Sequence, residues 1–259
     1  MHRAEREALA LGLVHGPVEL VPVSSSGHVA ALPWLLGWEV AGWDGPRRKE
    51  LQVALHGGSA AALLLVARPA RLRPALLAAA FLPPAAAGLT LERRIEERLG
   101  TPSTLAIGLL LGGAALVLAD RVPATRSADD ARIVDGLALG LAQAAALIPG
   151  VSRNGATLAA ARARGFDRPD ASRLSWEVAM PVLVGANALK GVRVAQAGAL
   201  TGSAQRLRPL ALGAGAAFAS TLATVRAIGV ERRAPLWPWA AWRAGLAGAI
   251  LGVRHNRAR

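Results

Sequence analysis

The chain contains no cysteine, so neither a disulfide nor a thiolate metal site can belong to its chemistry. Acidic residues are scarce: 17 Asp and Glu stand against 30 Lys and Arg, giving a formal net charge of +13. Any carboxylate inside an apolar stretch therefore stands out. No separate signal peptide with a cleavage site is expected at the N-terminus, because the first apolar run leads straight into a serine-rich stretch. Nor do the basic residues gather on one side of the apolar runs. They occur in nearly every loop, so their count fixes no orientation.

What the chain has is apolar length. Hydrophobic residues make up 53% and the mean hydropathy is +0.36. Near-continuous apolar runs cover Ser103–Ala119, Ile133–Pro149, Leu207–Val225 and Leu236–Val253. Each is at the lower end of what crosses a hydrocarbon core about 30 Å thick. Gly and Ala recur within them, as in membrane helices that pack closely. A soluble helical protein would have to bury all these runs in one small core, which argues against that class. Of the 30 basic residues 28 are Arg, which raises nucleic-acid binding as an alternative. Their positions argue against it. They cluster between apolar runs, at Arg68, Arg71 and Arg73, at Arg93, Arg94 and Arg98, at Arg162, Arg164, Arg168 and Arg173, and at Arg226, Arg232 and Arg233. That is the pattern of loops at a charged membrane surface.

The expected fold is an all-α, polytopic integral membrane protein, one domain over 1–259. Helical segments are predicted at about 5–21, 25–37, 50–67, 73–90, 103–119, 133–149, 154–165, 171–193, 207–229 and 236–253. Segments 25–37 and 154–165 are too short to cross a bilayer, and each follows a proline-and-serine break. Irregular backbone at membrane depth needs shielding by protein or a water-filled cavity, so both read as re-entrant. The breaks match as V-S-x-x-G: "VSSSG" at 23–27 and "VSRNG" at 151–155. A Gly-Leu pair lies twelve residues before the serine in each case, at Gly12 and Gly140. This predicts two repeats, about 5–119 and 133–253. With a re-entrant hairpin in each, three crossings per half remain. An odd number makes the halves inverted and interlocked, an arrangement that builds polar sites inside membranes.

The first break, "ELVPVSSSGH" at 19–28, concentrates polar groups. Ser24 is a natural N-cap. Ser25 and His28, three apart, share a helix face, with Glu19 upstream. A hydroxyl beside a histidine and a carboxylate can be a nucleophile with its base. The same oxygens suit Mg²⁺ or Ca²⁺, and the free amides of the helix start favour an anion. The second break supplies Arg153 beside Ser152, Asn154 and Thr157, and a guanidinium forks well onto phosphate. Each feature alone has a plainer reading: a serine run as a cap and turn, His28 as a structural histidine, Arg153 as a loop residue. Glu19 is harder to set aside, because a carboxylate in a membrane segment is expensive. The joint occurrence in two matching breaks favours a site for a phosphate or diphosphate.

These stretches resemble the two signature motifs of the undecaprenyl-pyrophosphate phosphatase family of the bacitracin-resistance type. "LQVALHGGSAAALLL" at 51–65 is similar to that family's third helix, "ASRLSWEVAMPVLVGANAL" at 171–189 to a later segment, and "PWAAWR" at 238–243 to its C-terminal aromatic-and-arginine element. The resemblance implies a multi-pass enzyme of the bacterial inner membrane with its site open to the outer face. Such an enzyme would hydrolyse undecaprenyl diphosphate to the monophosphate for lipid-carrier recycling in peptidoglycan synthesis. It also implies a divalent cation, Mg²⁺ or Ca²⁺. Carried over by position, Glu19 is a metal ligand and catalytic carboxylate, Ser25 the nucleophile or phosphate ligand, His28 the base or proton carrier, and Arg153 the grip on the diphosphate. Ser24, Ser26, Ser152, Asn154 and Thr157 would be supporting substrate contacts. The expected partners are the polyprenyl diphosphate and membrane lipids, not nucleic acid, and a homodimer is allowed.

Three positions depart from the family pattern. Where the family usually has a glutamate four residues before Glu19, this chain has His15. That spacing keeps the two on one helix face, so His15 stays a metal ligand through nitrogen. Nitrogen weakens Mg²⁺ and Ca²⁺ and leaves Mn²⁺ or Zn²⁺ less affected. Metal preference and pH optimum are expected to shift, since a ligating histidine must be neutral. Asn154 stands where serine is usual. Glu177 falls in a normally apolar stretch, either supplying the missing charge or taking a surface or pore-lining position. The alternative function is a polyprenyl-phosphate flippase that uses the same site without hydrolysis.

Overall fold

The computed structural model describes residues 1–67, 70–196, 203–225, 232 and 234–257. The helices are α1 (Arg3–Leu20), α2 (Ser25–Leu36), α3 (Gly45–Val66), α4 (Pro74–Thr90), α5 (Glu92–Leu99), α6 (Pro102–Asp120), α7 (Ile133–Ala145), α8 (Arg153–Ala163), α9 (Arg168–Gln196), α10 (Ala204–Thr224) and α11 (Trp237–Arg257). Among the described residues there is no strand, only one isolated bridge between Arg126 and Phe166. The all-α expectation therefore stands. Arg68, Arg226 and Arg233 lie outside the described residues, as does the end of the segment expected at 207–229.

Among the described residues two helices, α6 and α9, are long and apolar enough to cross a membrane, or three spans if the bent pair α4–α5 counts as one. Of the four apolar runs, only Ser103–Ala119 becomes such a helix. The run from Ile133 stops early: α7 ends at Ala145, and tight turns carry the chain to Pro149 and the positive-φ Gly150. Proline restricts the residue before it and so closes the helix. Helix α10 opens with Arg206 and Arg208 around Pro209, and α11 begins on tryptophan and proline and ends on Arg254, His255 and Arg257, which dilutes the apolar length of both. The sequence pattern gave no sign of α5, whose "ERRIEERL" is polar nearly all round and has no buried residue.

The chain divides into two compact units interleaved along the sequence, one of 1–20, 28–68 and 183–227, the other of 21–27, 69–182 and 228–259. In the first, α1 packs on α10 and α10 on α3. The α1–α10 approach depends on glycine. A Cβ at Gly12 or Gly16 would collide with the backbone of α10 at Gly213 or Thr221. In lipid there is little hydrophobic drive between helices, so close backbone contact is what holds such a pair. Glu7 closes one end by accepting from the amides of Glu39 and Val40, each at 3.1 Å.

In the second unit α4 packs on α7, α11 on α6, and α8 on both α6 and α7. Gly140 of α7 has the backbone of α4 against it, as Gly12 of α1 has that of α10. Two carboxylates, the partly buried Asp120 and the fully buried Asp135, pin the loops. Asp120 accepts from Arg168 Nε and Nη2, both at 2.8 Å, and from the Leu236 amide at 3.0 Å. Asp135 accepts from Arg126 Nη2 and Arg164 Nε, both at 2.7 Å. Glu177 accepts from the amides of Arg71 and Leu72 at 2.8 and 3.0 Å, so it orders the start of α4.

Candidate active site

Each serine break is built in the same way. Ser24 and Ser152 both adopt positive φ, 73° and 69°, and are the non-glycine residues that do so among those described. Side chains seldom accept this region. Its use twice, at matching positions, marks local strain of the sort found at functional sites. Each serine then caps the helix that follows. The Gly27 amide donates to Ser24 Oγ at 3.3 Å, and the Gly155 amide donates to Ser152 Oγ at 3.2 Å. The helix starts after these turns are anion-favouring ends.

Residues 21–27 and 151–155 belong to the same unit, and Arg243 of α11 joins them. Its Nε donates to Pro22 O at 2.7 Å and its Nη1 to Val151 O at 3.1 Å. The guanidinium is fully buried, and Nη2 has no hydrogen-bond partner. Gly112 and Gly155 make room for it, since a Cβ at either would collide with the guanidinium. Two backbone breaks distant in sequence are thereby locked by one fork of donors.

Arg153 is the first residue of α8 and half-buried, and its Nη1 donates to Ala179 O at 3.4 Å. Asn154 and Thr157 are buried and turned to α9. Ser175 Oγ donates to Asn154 Oδ1 at 3.1 Å and lies 2.5 Å from Thr157 Oγ1, which donates to Arg153 O at 2.9 Å. These two side chains brace the start of α8. Ser25 is half-buried at the start of α2, Ser26 is exposed, and His28 is buried one turn further on.

In the first unit, His15, Glu19 and His56 converge, with one ligand atom from each lying within 4.8 Å of the others. Nε2 of His15 is 3.9 Å and Nε2 of His56 is 4.0 Å from Glu19 Oε2. The rings of the two histidines meet edge to face at 4.5 Å. His15 is completely buried, its Nδ1 is 2.8 Å from Ser59 Oγ, and its Nε2 has no hydrogen-bond partner. Two imidazoles and a carboxylate suit a divalent cation. A buried ring nitrogen with no hydrogen-bond partner, facing the Glu19 carboxylate, makes the same point, so the three side chains fit a divalent cation.

Residues 8–249 match the family model described as bacitracin resistance protein BacA. The chain belongs to the BacA family. It is similar to the undecaprenyl-diphosphatase of Geobacter sulfurreducens, 35% identical over 274 residues that cover 96% of this chain and 98% of that protein. The Trichlorobacter lovleyi undecaprenyl-diphosphatase is 35% identical, with 95% and 97% covered. That of Pelotomaculum thermopropionicum is 36% identical, with 71% and 74% covered.

Set in the BacA family, the structure brings together His15 and Glu19 as the sequence spacing required, and brings the two serine breaks together through Arg243. Sequence reasoning missed His56 as the third member of the His15 and Glu19 cluster and Arg243 as the lock. Both carried a signal. Each is a titratable group inside a strongly apolar run, and such groups in membrane segments are costly unless they have a task. Ser59 and Thr221, behind His15, gave none, because small hydroxyls are common in membrane helices.

Proposed function

We propose that the chain is an undecaprenyl-diphosphatase of the bacterial inner membrane, releasing phosphate from undecaprenyl diphosphate at a site open to the outer face. The observation that carries this reading is the pair of positive-φ serine breaks. One is followed by Ser25 and His28 and the other by Arg153. The relatives named undecaprenyl-diphosphatase support it over nearly the whole chain. The like geometry of the breaks, and of Gly12 and Gly140 before them, supports two inverted repeats over about 5–119 and 133–253 with re-entrant α2 and α8.

Arg153, with the first amides of α2 and α8, holds the diphosphate, and the buried charge of Arg243 adds to the positive field. Ser24, Ser26 and Ser152 shape the breaks around it. His28 takes the proton of the attacking hydroxyl, which Ser25 provides or aligns, as the bond to the terminal phosphorus forms. The phosphoanhydride bond breaks, and the lipid monophosphate leaves with the electron pair; where Ser25 is the attacking group, a water then hydrolyses the phosphoseryl ester, giving back the Ser25 hydroxyl and releasing phosphate. Glu19, His15 and His56 would hold a divalent cation, which when bound would supply Lewis-acid charge neutralisation.

The test is phosphate release from undecaprenyl or farnesyl diphosphate by detergent-purified protein, with and without chelator. Metal-dependent release is expected, and Arg153→Ala should lower it by roughly 100-fold or more with the protein still folded. No release with any metal from folded protein would instead support a flippase that moves the lipid without hydrolysis.

A further inference from the structure

The cluster on α1 and α3 specifies its ion more narrowly than a generic divalent site does. We propose that His15, Glu19 and His56 form a binding site for a first-row transition dication of the Zn²⁺ or Mn²⁺ class, in preference to Mg²⁺ or Ca²⁺. The proposal rests on the phosphatase reading only for the use made of the ion. The site itself stands on the side chains.

The first argument is the donor set. Mg²⁺ and Ca²⁺ are hard ions that take oxygen ligands almost throughout. Here two of the three protein ligands are imidazole nitrogens. Imidazole favours Zn²⁺, Mn²⁺ and their neighbours, and a set of two histidines and one carboxylate leaves positions open for other ligands.

The second argument is the hydrogen bonding behind the ligands. His56 Nδ1 lies 2.8 Å from Gln52 O, which can only accept, so that nitrogen carries the proton and Nε2 presents its lone pair toward Glu19. His15 Nδ1 lies 2.8 Å from Ser59 Oγ, which itself accepts from Thr221 Oγ1 at 2.8 Å. His15 Nε2 is left in a fully buried position with no hydrogen-bond partner. A buried polar nitrogen with no partner is costly; a cation bound by the neutral ring removes that cost. A hydrogen bond at the other ring nitrogen is what metal histidines usually have.

The third argument is reach. Three atoms within 4.8 Å of one another lie within about 2.8 Å of a common point, so bonds of about 2.0–2.2 Å need a closure of well under an ångström each. Side-chain rotation supplies that without moving α1 or α3.

The experiment uses the full-length chain in detergent, stripped with chelator and titrated with Co²⁺ as a spectroscopic probe. One Co²⁺ per chain is expected, with visible absorption bands from nitrogen ligation. Equimolar Zn²⁺ should remove the bands, while a hundredfold excess of Mg²⁺ or Ca²⁺ leaves them. His56→Gln should weaken Co²⁺ binding at least tenfold. Thr221→Val, which removes the hydrogen bond to Ser59 without touching a ligand, should weaken it by a smaller factor. Size-exclusion and thermal unfolding confirm that each variant is folded. Wild-type protein that shows no bands, or loses them to Mg²⁺, overturns the proposal, as does folded His56→Gln with unchanged affinity. Phosphate release measured on the same preparations separates the two readings. Release supported by Mg²⁺ without Co²⁺ binding sinks this site and leaves the phosphatase. Tight Co²⁺ binding without release under any metal leaves the site and sinks the phosphatase.

Discussion

A guanidinium buried away from water must find its acceptors in the protein, and Arg243 finds two of them on strained backbone. Pro22 O and Val151 O each lie where the chain has left one helix and not begun the next. Neither carbonyl has a helical partner, so each would otherwise be an unmet acceptor. Leaving a buried acceptor unmet costs about 1–3 kcal/mol. Arg243→Ala should therefore lose roughly 2–5 kcal/mol and lower the thermal midpoint in detergent by several degrees. Arg243→Lys should recover only part of the loss, because one ammonium cannot fork between two carbonyls in the same way. Equal midpoints for Arg243→Ala and wild type would show that the breaks hold themselves. The charge of Arg243 in an apolar run was legible from the sequence. Its task was not, because its acceptors are 221 and 92 residues away along the chain.

The helices themselves were mostly legible, since apolar length and Pro, Ser and Gly breaks are local signals. Segments 25–37 and 154–165 correspond closely to α2 and α8. The Ser24 cap was also legible, because serine is a favoured N-cap residue, whereas the matching cap at Ser152 came only with the structure. The positive φ of those serines was not foretold, since glycine is the usual residue there. That conflict between residue and conformation makes a prediction. Ser152→Gly removes the cap but relieves the strain, and its net cost should be a few tenths of a kcal/mol. Ser152→Val removes the cap and puts a β-branched side chain in the left-handed region, for a cost of about 2–3 kcal/mol. Thermal unfolding of the two variants should thus separate by several degrees, with the glycine variant the more stable. The reverse order would mean that Ser152 is held by its hydroxyl alone and that the backbone there is unstrained. Ser24→Gly and Ser24→Val should repeat the pattern at the first break.

At the scale of the whole molecule, the excess of arginine was read as loops at a charged membrane surface. The structure gives part of that charge a second task. Arg126, Arg162, Arg164 and Arg168 turn inward on Asp120 and Asp135 and tie the loop at 121–132 and the turn at 164–167 to the ends of their helices. The pairing could not be read along the chain, because each arginine is 9 to 48 residues from its carboxylate and the sequence offers many other arginines. The interleaving of the two units was hidden for the same reason: segments far apart in sequence share a unit through contacts that no local pattern announces. Asp135 is the sharper test of this inward charge, since its side chain is fully buried while Arg126 and Arg164 are 22% and 40% exposed. Breaking a buried ion pair costs roughly 3–5 kcal/mol when the remaining charge is trapped. Here both arginines can turn to water, so Asp135→Ala should cost about 2–3 kcal/mol. The Arg132 amide, which donates to the same carboxylate at 2.8 Å, also loses its acceptor at the start of α7. The expected outcome is a lower unfolding midpoint in detergent with phosphate release per folded molecule unchanged at 20 °C. An unchanged midpoint would mean that these arginines serve the membrane surface alone. Lost release with an unchanged midpoint would instead assign Asp135 to the chemistry.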